Sequence, residues 1–147
     1  MRMTAKQVGN YGEAVAEKYL KKRFWRIVSR NYNVRGGEID IIAYRFGVLA
    51  FVEVKTRSND LYGKPSDAVD GEKLARIRRA ARHFCEAYGV GSSIRLPNRL
   101  GGDKRKKIYK KRIDVIEIYL SKDKKTEKIN HIKDWENSYE LHQHPYC

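Results

Sequence analysis

The sequence predicts an α/β domain with a central mixed sheet of four or five strands flanked by helices. Three features carry that expectation. An amphipathic helical stretch opens the chain, two β-rich runs joined by a short link follow it, and a second amphipathic helix precedes another long β-rich run. At 147 residues the chain suffices for one domain, which buries roughly 70% of its unfolded surface without the help of staples.

The first helix is expected to start at Thr4, where Thr4-Ala5-Lys6-Gln7 has the form of a capping box with Gln7 at its third position. Val8, Gly12, Val15, Ala16 and Tyr19 then share one face at helical spacing. Gly9 and Gly12 cost helix stability and suggest a close approach to a sheet. Glu13 lies on the shoulder of that face, and position alone leaves a functional Glu and a solvated one equally open. Phe24 to Tyr32 reads as a strand and Arg35-Gly36-Gly37 as a turn. Glu38–Ala43 and Val48–Lys55, linked by Arg45-Phe46-Gly47, read as an antiparallel hairpin.

The second helix is expected from Val69 to Tyr88, capped by Asp67 or Asp70 and ended by Gly89, with an apolar stripe of Leu74, Ile77, Ala81, Phe84 and Tyr88. Residues 89–112 read as irregular. Ile113–Leu120 reads as a strand and Ile129–Ile132 as a short edge strand. The domain is placed at residues 1–135, with a basic loop at 101–112. A weakly ordered tail or short helix is expected at 136–147.

Charge narrows the function. With 32 Lys and Arg against 18 Asp and Glu, the formal net charge is +14. Heat-adapted surfaces are also rich in charge, but with the signs balanced. An excess of this size favours polyanions through counterion release, nucleic acid first and an anionic membrane surface second. No apolar run approaches the ~18 residues of a membrane span, and the start, Met1-Arg2-Met3-Thr4-Ala5-Lys6, lacks a secretory apolar region. Cys85 and Cys147 stand in no metal or redox spacing and read as free thiols of a reducing cytoplasm. His142, His144 and Cys147 read as a flexible tract, and Trp25 and Trp135 as core or interface aromatics. No phosphate-binding glycine loop or zinc spacing is present.

The hairpin is where pattern becomes chemistry. If it turns between Phe46 and Gly47, Asp40 faces Glu53 and Glu38 faces Lys55. Strand alternation then puts these four on one face, and Ile39, Ile41, Ala50, Val52 and Val54 on the other. Opposed carboxylates repel, which folding alone does not favour. Mg²⁺ takes one or two such carboxylates and fills its remaining positions with water and phosphate oxygens. A surface charge ladder neutralised by Lys55 and nearby arginines is the other reading of the same pattern.

Gly37-Glu38-Ile39-Asp40-Ile41-Ile42-Ala43, followed by Phe51-Val52-Glu53-Val54-Lys55-Thr56-Arg57, resembles the signature of the small bacterial YraN-like proteins. That family is described as endonuclease-like, similar to the PD-(D/E)xK nuclease superfamily and to archaeal Holliday-junction resolvases. Gly9-x-x-Gly12-Glu13-x-x-Ala16, Asn31, Lys73, Arg112-Ile113-Asp114-Val115 and His131-Ile132 extend the resemblance in order over residues 8–135. It implies a restriction-endonuclease-like fold. It also implies Asp40 and Glu53 as ligands of Mg²⁺ or Mn²⁺, the Val54 carbonyl as a further ligand, Lys55 as the catalytic lysine, and Glu13 as a helix glutamate joining the site.

The sequence departs from the family between Gly102 and Arg112, which is longer and more basic than the usual link, and at Ile113, where the family has Phe. Lys104, Arg105, Lys106, Lys107, Lys110 and Lys111 are expected to contact phosphate, with Lys73 and Arg76 of the second helix; a solvated charge run is the alternative for the former set. Asp114 is expected to be structural, paired with an Arg or Lys. The expected function is metal-dependent hydrolysis of DNA phosphodiesters in the cytoplasm. DNA is favoured over RNA and a branched structure over a sequence, and a homodimer would suit two-fold substrates. A binding module of the same fold without cleavage is the runner-up, and an adaptor for acidic protein the third class.

Overall fold

The computed structural model describes residues 2–58 and 71–137, and the order of its elements is that of the sequence reading with one hairpin added. Helix α1 (Ala5–Lys22) leads into strands β1 (Arg26–Val34), β2 (Gly37–Arg45) and β3 (Val48–Arg57). Helix α2 (Gly71–Ala87) and a small hairpin, β4 (Ser93–Pro97) and β5 (Asp103–Lys107), precede β6 (Lys110–Leu120) and β7 (Thr126–Ile132). Val69, Asp67 and Asp70, proposed for the start of α2, lie outside the described residues, as do His142, His144 and Cys147.

Strands β1-β2-β3-β6-β7 form one mixed sheet of five, with β3 and β6 parallel and all other neighbours antiparallel. A parallel pair needs a crossover connection, and the chain between β3 and β6 supplies it with α2. The helices cover opposite faces. On one side Ala16 and Leu20 of α1 pack with Trp25, Ile41, Ala43, Ala50, Val52, Ile116 and Ile118. On the other, Leu74, Ile77, Ala80 and Phe84 of α2 pack with Ile39, Ile42, Leu49, Phe51 and Ile113. This is an α/β architecture consistent with the restriction-endonuclease-like fold.

Local chemistry explains the elements. Thr4 caps α1 through its side chain and Gln7 returns a bond to the Thr4 backbone, completing the capping box. Gly12 is the point of closest approach: a Cβ there would stand 1.8 Å from the Thr56 Oγ1 of β3. Gly9 meets nothing within 4 Å, so only one of the two glycines serves that approach. The α2 stripe is buried at Leu74, Ile77 and Phe84 as expected, but Ala80 is its buried alanine while Ala81 is only partly buried, and Tyr88 is 64% exposed one residue past the end of the helix.

Four further expectations are corrected. Strand β1 begins at Arg26 rather than Phe24, because Phe24 takes a left-handed φ of 66° and points out. Residues 89–112 are not irregular: Ile94 and Leu96 alternate into the core and β4 pairs with β5. The basic segment at 101–112 is thus a strand and the start of another rather than a loop. Ile39 does not share a face with Ile41; it packs on the α2 side with Ile42 and Phe51. The β2–β3 ladder stops at Ile41–Val52, and beyond it the alternation resets.

The two helix glycines should respond oppositely to alanine. Gly12→Ala drives a methyl into Thr56 and is expected to lower the unfolding free energy by about 1–3 kcal/mol in urea titrations. Gly9→Ala, in open space within the same helix, is expected to raise it by about 0.5–1 kcal/mol. Equal effects would mean that α1 is not held against β3 at Gly12.

Candidate active site

Asp40 stands where the sheet is interrupted on both sides. In β1 the neighbouring Asn31 has a left-handed φ of 50°, and the register passes from Arg30–Ile41 to Tyr32–Ile39 without pairing it. In β3 the ladder has ended, and the Val54 N–H donates instead to Asp40 Oδ2 at 2.8 Å. The carboxylate thus replaces a ladder acceptor and is fixed by the backbone it bonds. In extended chain the N–H and C=O of one residue face the same neighbouring strand, so the Val54 carbonyl also faces the Asp40 side.

Glu53, next along β3, is 4% exposed. Its Oε1 lies 3.4 Å from Lys73 Nζ of α2, and its buried Oε2 has no hydrogen-bond partner. Burial first, and the charge of Asp40 second, raise its carboxyl pKa to about 8 against the pull of Lys73 and Lys55. Asp40 is itself an acceptor. Two carboxyls in this position hold together by sharing a proton or a cation. Lys73 also bonds Glu38 Oε1 at 2.6 Å, while Arg76 bonds Glu38 Oε2 at 2.8 Å. These bonds, that of Arg76 foremost, hold the Glu38 pKa down to about 2.

Glu13 reaches the same place from α1. Asp40, Glu13, Glu17, Asn10, Arg30 and Asn31 line an open cleft of about 250 Å³. Burial, and then the Asp40 charge, raise the Glu13 pKa. Arg30 is bonded through both Nε and a terminal nitrogen to Glu17, and with Lys21 it holds that acid near 2, so the cleft wall is already charge-paired beside Glu13 and Asp40.

The residues singled out from sequence therefore divide into two groups. Asp40, Glu53, Val54, Lys55 and Lys73 come together, Glu13 joins at Asp40, and Arg76 is tied in through Glu38. Lys104, Arg105, Lys106 and Lys107 occupy β5, and Lys110 and Lys111 open β6 beside Val48 and Leu49. That is the turn end of the hairpin, some five residues or about 17 Å of strand from Glu53. Sequence reasoning missed Glu17 and Arg30. The spacing of Glu13 and Glu17, one helical turn apart on α1, was the available signal.

Asp114 is fully buried and structural in its contacts. It accepts from Arg112 Nε at 2.9 Å and the Asp134 N–H at 3.0 Å, and pairs with His131 Nε2 at 2.7 Å. Burial alone would raise its carboxyl; these partners outweigh burial and lower it.

Among the described residues, no three His, Cys, Asp or Glu side chains converge to enclose a metal ion by themselves. The donor set is an open one: two adjoining carboxylates, one with an orphaned buried oxygen, and a backbone carbonyl. That set fits Mg²⁺ or Mn²⁺, which keep waters and take few protein ligands, better than a closed cage would.

The sequence model of the uncharacterised protein family UPF0102 matches residues 12–118, a span that includes Glu13, Asp40, Glu53, Lys55 and Lys73. A UPF0102 protein of Alkaliphilus metalliredigens is 37% identical over 126 residues, covering 86% of this chain and 96% of its own. One from Caldanaerobacter subterraneus is 38% identical over 132 residues, 89% and 95% of the two chains. One from Alkaliphilus oremlandii is 41% identical over 129 residues, 88% and 97%.

The raised Glu53 pKa has a signature in stability. Between its ordinary value of 4.5 and about 8 the folded chain holds the proton and the unfolded chain does not. The unfolded state binds fewer protons there, so this group takes stability away as pH rises through that window. In metal-free buffer Glu53→Gln should melt with the wild type at pH 4, below the ordinary value of 4.5, where Glu53 holds its proton in the folded chain and mostly in the unfolded one. Above pH 8 it should be more stable, by about 1–3 kcal/mol on the scale of an unpaired buried group. Parallel pH profiles of the two proteins would contradict the burial of Glu53 against Asp40.

Proposed function

The chain belongs to the uncharacterised protein family UPF0102, the YraN-like proteins, and from its buried acid pair we propose that it is a metal-dependent nuclease hydrolysing DNA phosphodiester bonds. The observation that carries this proposal is Glu53: a buried carboxylate with an orphaned oxygen, set against Asp40, with Lys55 two residues along the same strand. Folding gains nothing from that arrangement, and a hard cation would relieve it.

Asp40 and Glu53 would hold Mg²⁺ or Mn²⁺, with the Val54 carbonyl as a further ligand. The ion would supply Lewis-acid polarisation of a phosphate oxygen and an acidified water. The Val54 N–H keeps Asp40 in place, and Lys73 holds Glu53 through its Oε1. Lys55 positions water and offsets charge developing on phosphorus. Glu13, beside Asp40 in the open cleft, accepts a proton or binds water on the side from which a backbone would enter. Arg76 of α2 and the cations of β5 and the start of β6 contribute phosphate contacts, which give affinity without sequence reading. The substrate would be DNA before RNA, met in the cytoplasm, and a two-fold junction would engage two copies of the chain.

One observation favours a second reading. Lys73 already neutralises part of the Glu53 charge, as a chain that binds nucleic acid without cutting it would require.

Asp40→Ala and Lys55→Ala are each expected to lower cleavage at least a hundredfold and to change affinity for the same DNA less than about threefold, because phosphate contacts elsewhere supply binding. The check is a panel of linear, nicked, single-stranded and four-way DNA with Mg²⁺, Mn²⁺ or EDTA, followed by binding of each variant in EDTA. Unchanged turnover in both variants would put the chemistry elsewhere. Binding without any metal-stimulated cleavage by the wild type would leave the non-cutting module as the function.

A further inference from the structure

The end of the sheet away from the acids carries three aromatic side chains that the fold leaves uncovered. Phe24, Phe46 and Tyr109 are 79%, 80% and 74% exposed. Phe24 follows the Arg23 cap of α1, Phe46 opens the β2–β3 turn, and Tyr109 immediately precedes β6. They belong to one end of the molecule. The Tyr109 ring lies over Gly47, where a Cβ would stand 2.2 Å from it, and the Tyr109 N–H donates to the Gly47 carbonyl at 2.7 Å. Arg45 ties in the rest: its guanidinium donates to the Arg23 carbonyl at 3.1 Å, stacks over buried Trp25 at 4.6 Å and lies 6.0 Å from the Phe46 ring.

Backbone conformation makes these aromatics unexpected. Phe46 and Gly47 form a two-residue turn between the paired Arg45 and Val48, with φ of 45° and 84°. A turn with both central φ values positive favours Asn or Asp before Gly, and a bulky side chain there is an outlier. Phe24 has a φ of 66°. Folding accounts for neither ring, since each strains its backbone and buries nothing.

Cations surround the rings: Lys107 Nζ is 5.0 Å from the Tyr109 ring centre, and Arg45 is half-buried between Trp25 and Phe46. With a net charge of +14 on the chain, the partner that suits the end is anionic and offers flat apolar faces. A neutral protein surface meets only the second condition. In duplex nucleic acid the base faces are buried in the stack, but in single strands, ends and branch points they are open, and aromatic rings beside cations bind them without regard to sequence.

We propose that Phe46 and Tyr109, with Phe24, form a stacking platform for unpaired nucleobases, at the opposite end of the hairpin from the acid pair. This rests on the nucleic-acid function proposed above and adds the means by which the chain would distinguish open from fully paired substrates. The rings hold exposed bases while Arg45 and Lys107 neutralise the adjoining phosphates.

The test is binding by fluorescence anisotropy in EDTA, so that cleavage plays no part. Wild-type protein is compared with Phe46→Asn, Tyr109→Ala and the double variant, on a labelled single-stranded oligonucleotide and on a duplex of the same length. Asn suits a left-handed turn position, so Phe46→Asn should melt no lower than the wild type. Each variant is expected to lose at least about fivefold affinity for the single strand, with duplex affinity unchanged within about twofold, and Phe46→Trp should restore single-strand binding. Equal losses on both substrates, or no loss on either, would overturn the platform. So would loss of binding to phosphatidylserine vesicles with single-strand binding intact, which would assign the end to a membrane surface. Cleavage without this discrimination would remove the platform alone; the discrimination without cleavage would remove the nuclease alone.

Discussion

The arrangement on which the rest of the site depends is the contact of two carboxylates, one of them buried. Asp40 and Glu53 meet where the β2–β3 ladder has stopped and where the β1 backbone turns left-handed at Asn31. A continuous ladder would satisfy the Val54 N–H from a carbonyl and leave Asp40 to solvent. Here the carboxylate takes that N–H. The interruption is thus the means by which a strand side chain is held at a fixed point, and Ile39 turns to the α2 side as a consequence.

Both helices bear on that point. Gly12 lets α1 lie on Thr56, which carries Glu13 to Asp40; on the other face, α2 brings Lys73 between Glu53 and Glu38. Glu53 is covered, whereas the cleft beside Asp40 stays open. An acid pair that is half-neutralised and open on its Asp40 side is more consistent with a shared ligand than with a finished structural ion pair, whose remaining lone pairs would be satisfied. Asp114 shows the contrast within the same sheet: equally buried, it is met by Arg112, His131 and a backbone N–H.

Much of this could be read from the sequence, because alternation and turn position determine a hairpin's register. Placing the turn at Phe46-Gly47 put Asp40 near Glu53, and the shoulder position of Glu13 on α1 was visible from helical spacing. What escaped has identifiable causes. The face of Ile39 depends on the broken ladder, a tertiary event that a period of two cannot express. The β4–β5 hairpin was hidden because its outward positions carry Lys, Arg, Ser and Pro, leaving Ile94 and Leu96 as its only buried strand residues. Lys73 was expected among phosphate contacts, yet its ammonium turns inward to Glu38 and Glu53, a choice made by the packing of α2. The exposure of Phe46 lay in a left-handed turn that Phe-Gly does not announce as Asn-Gly would.

The most direct measurement of the central claim is Mn²⁺ uptake, followed by the electron paramagnetic resonance signal of the free ion, for wild type, Asp40→Asn and Lys55→Ala without any nucleic acid. Saturable uptake by the wild type and by Lys55→Ala, weakened at least tenfold in Asp40→Asn, is the result expected if the acids form a cation site. Equal uptake by all three proteins, or none by the wild type, would contradict it.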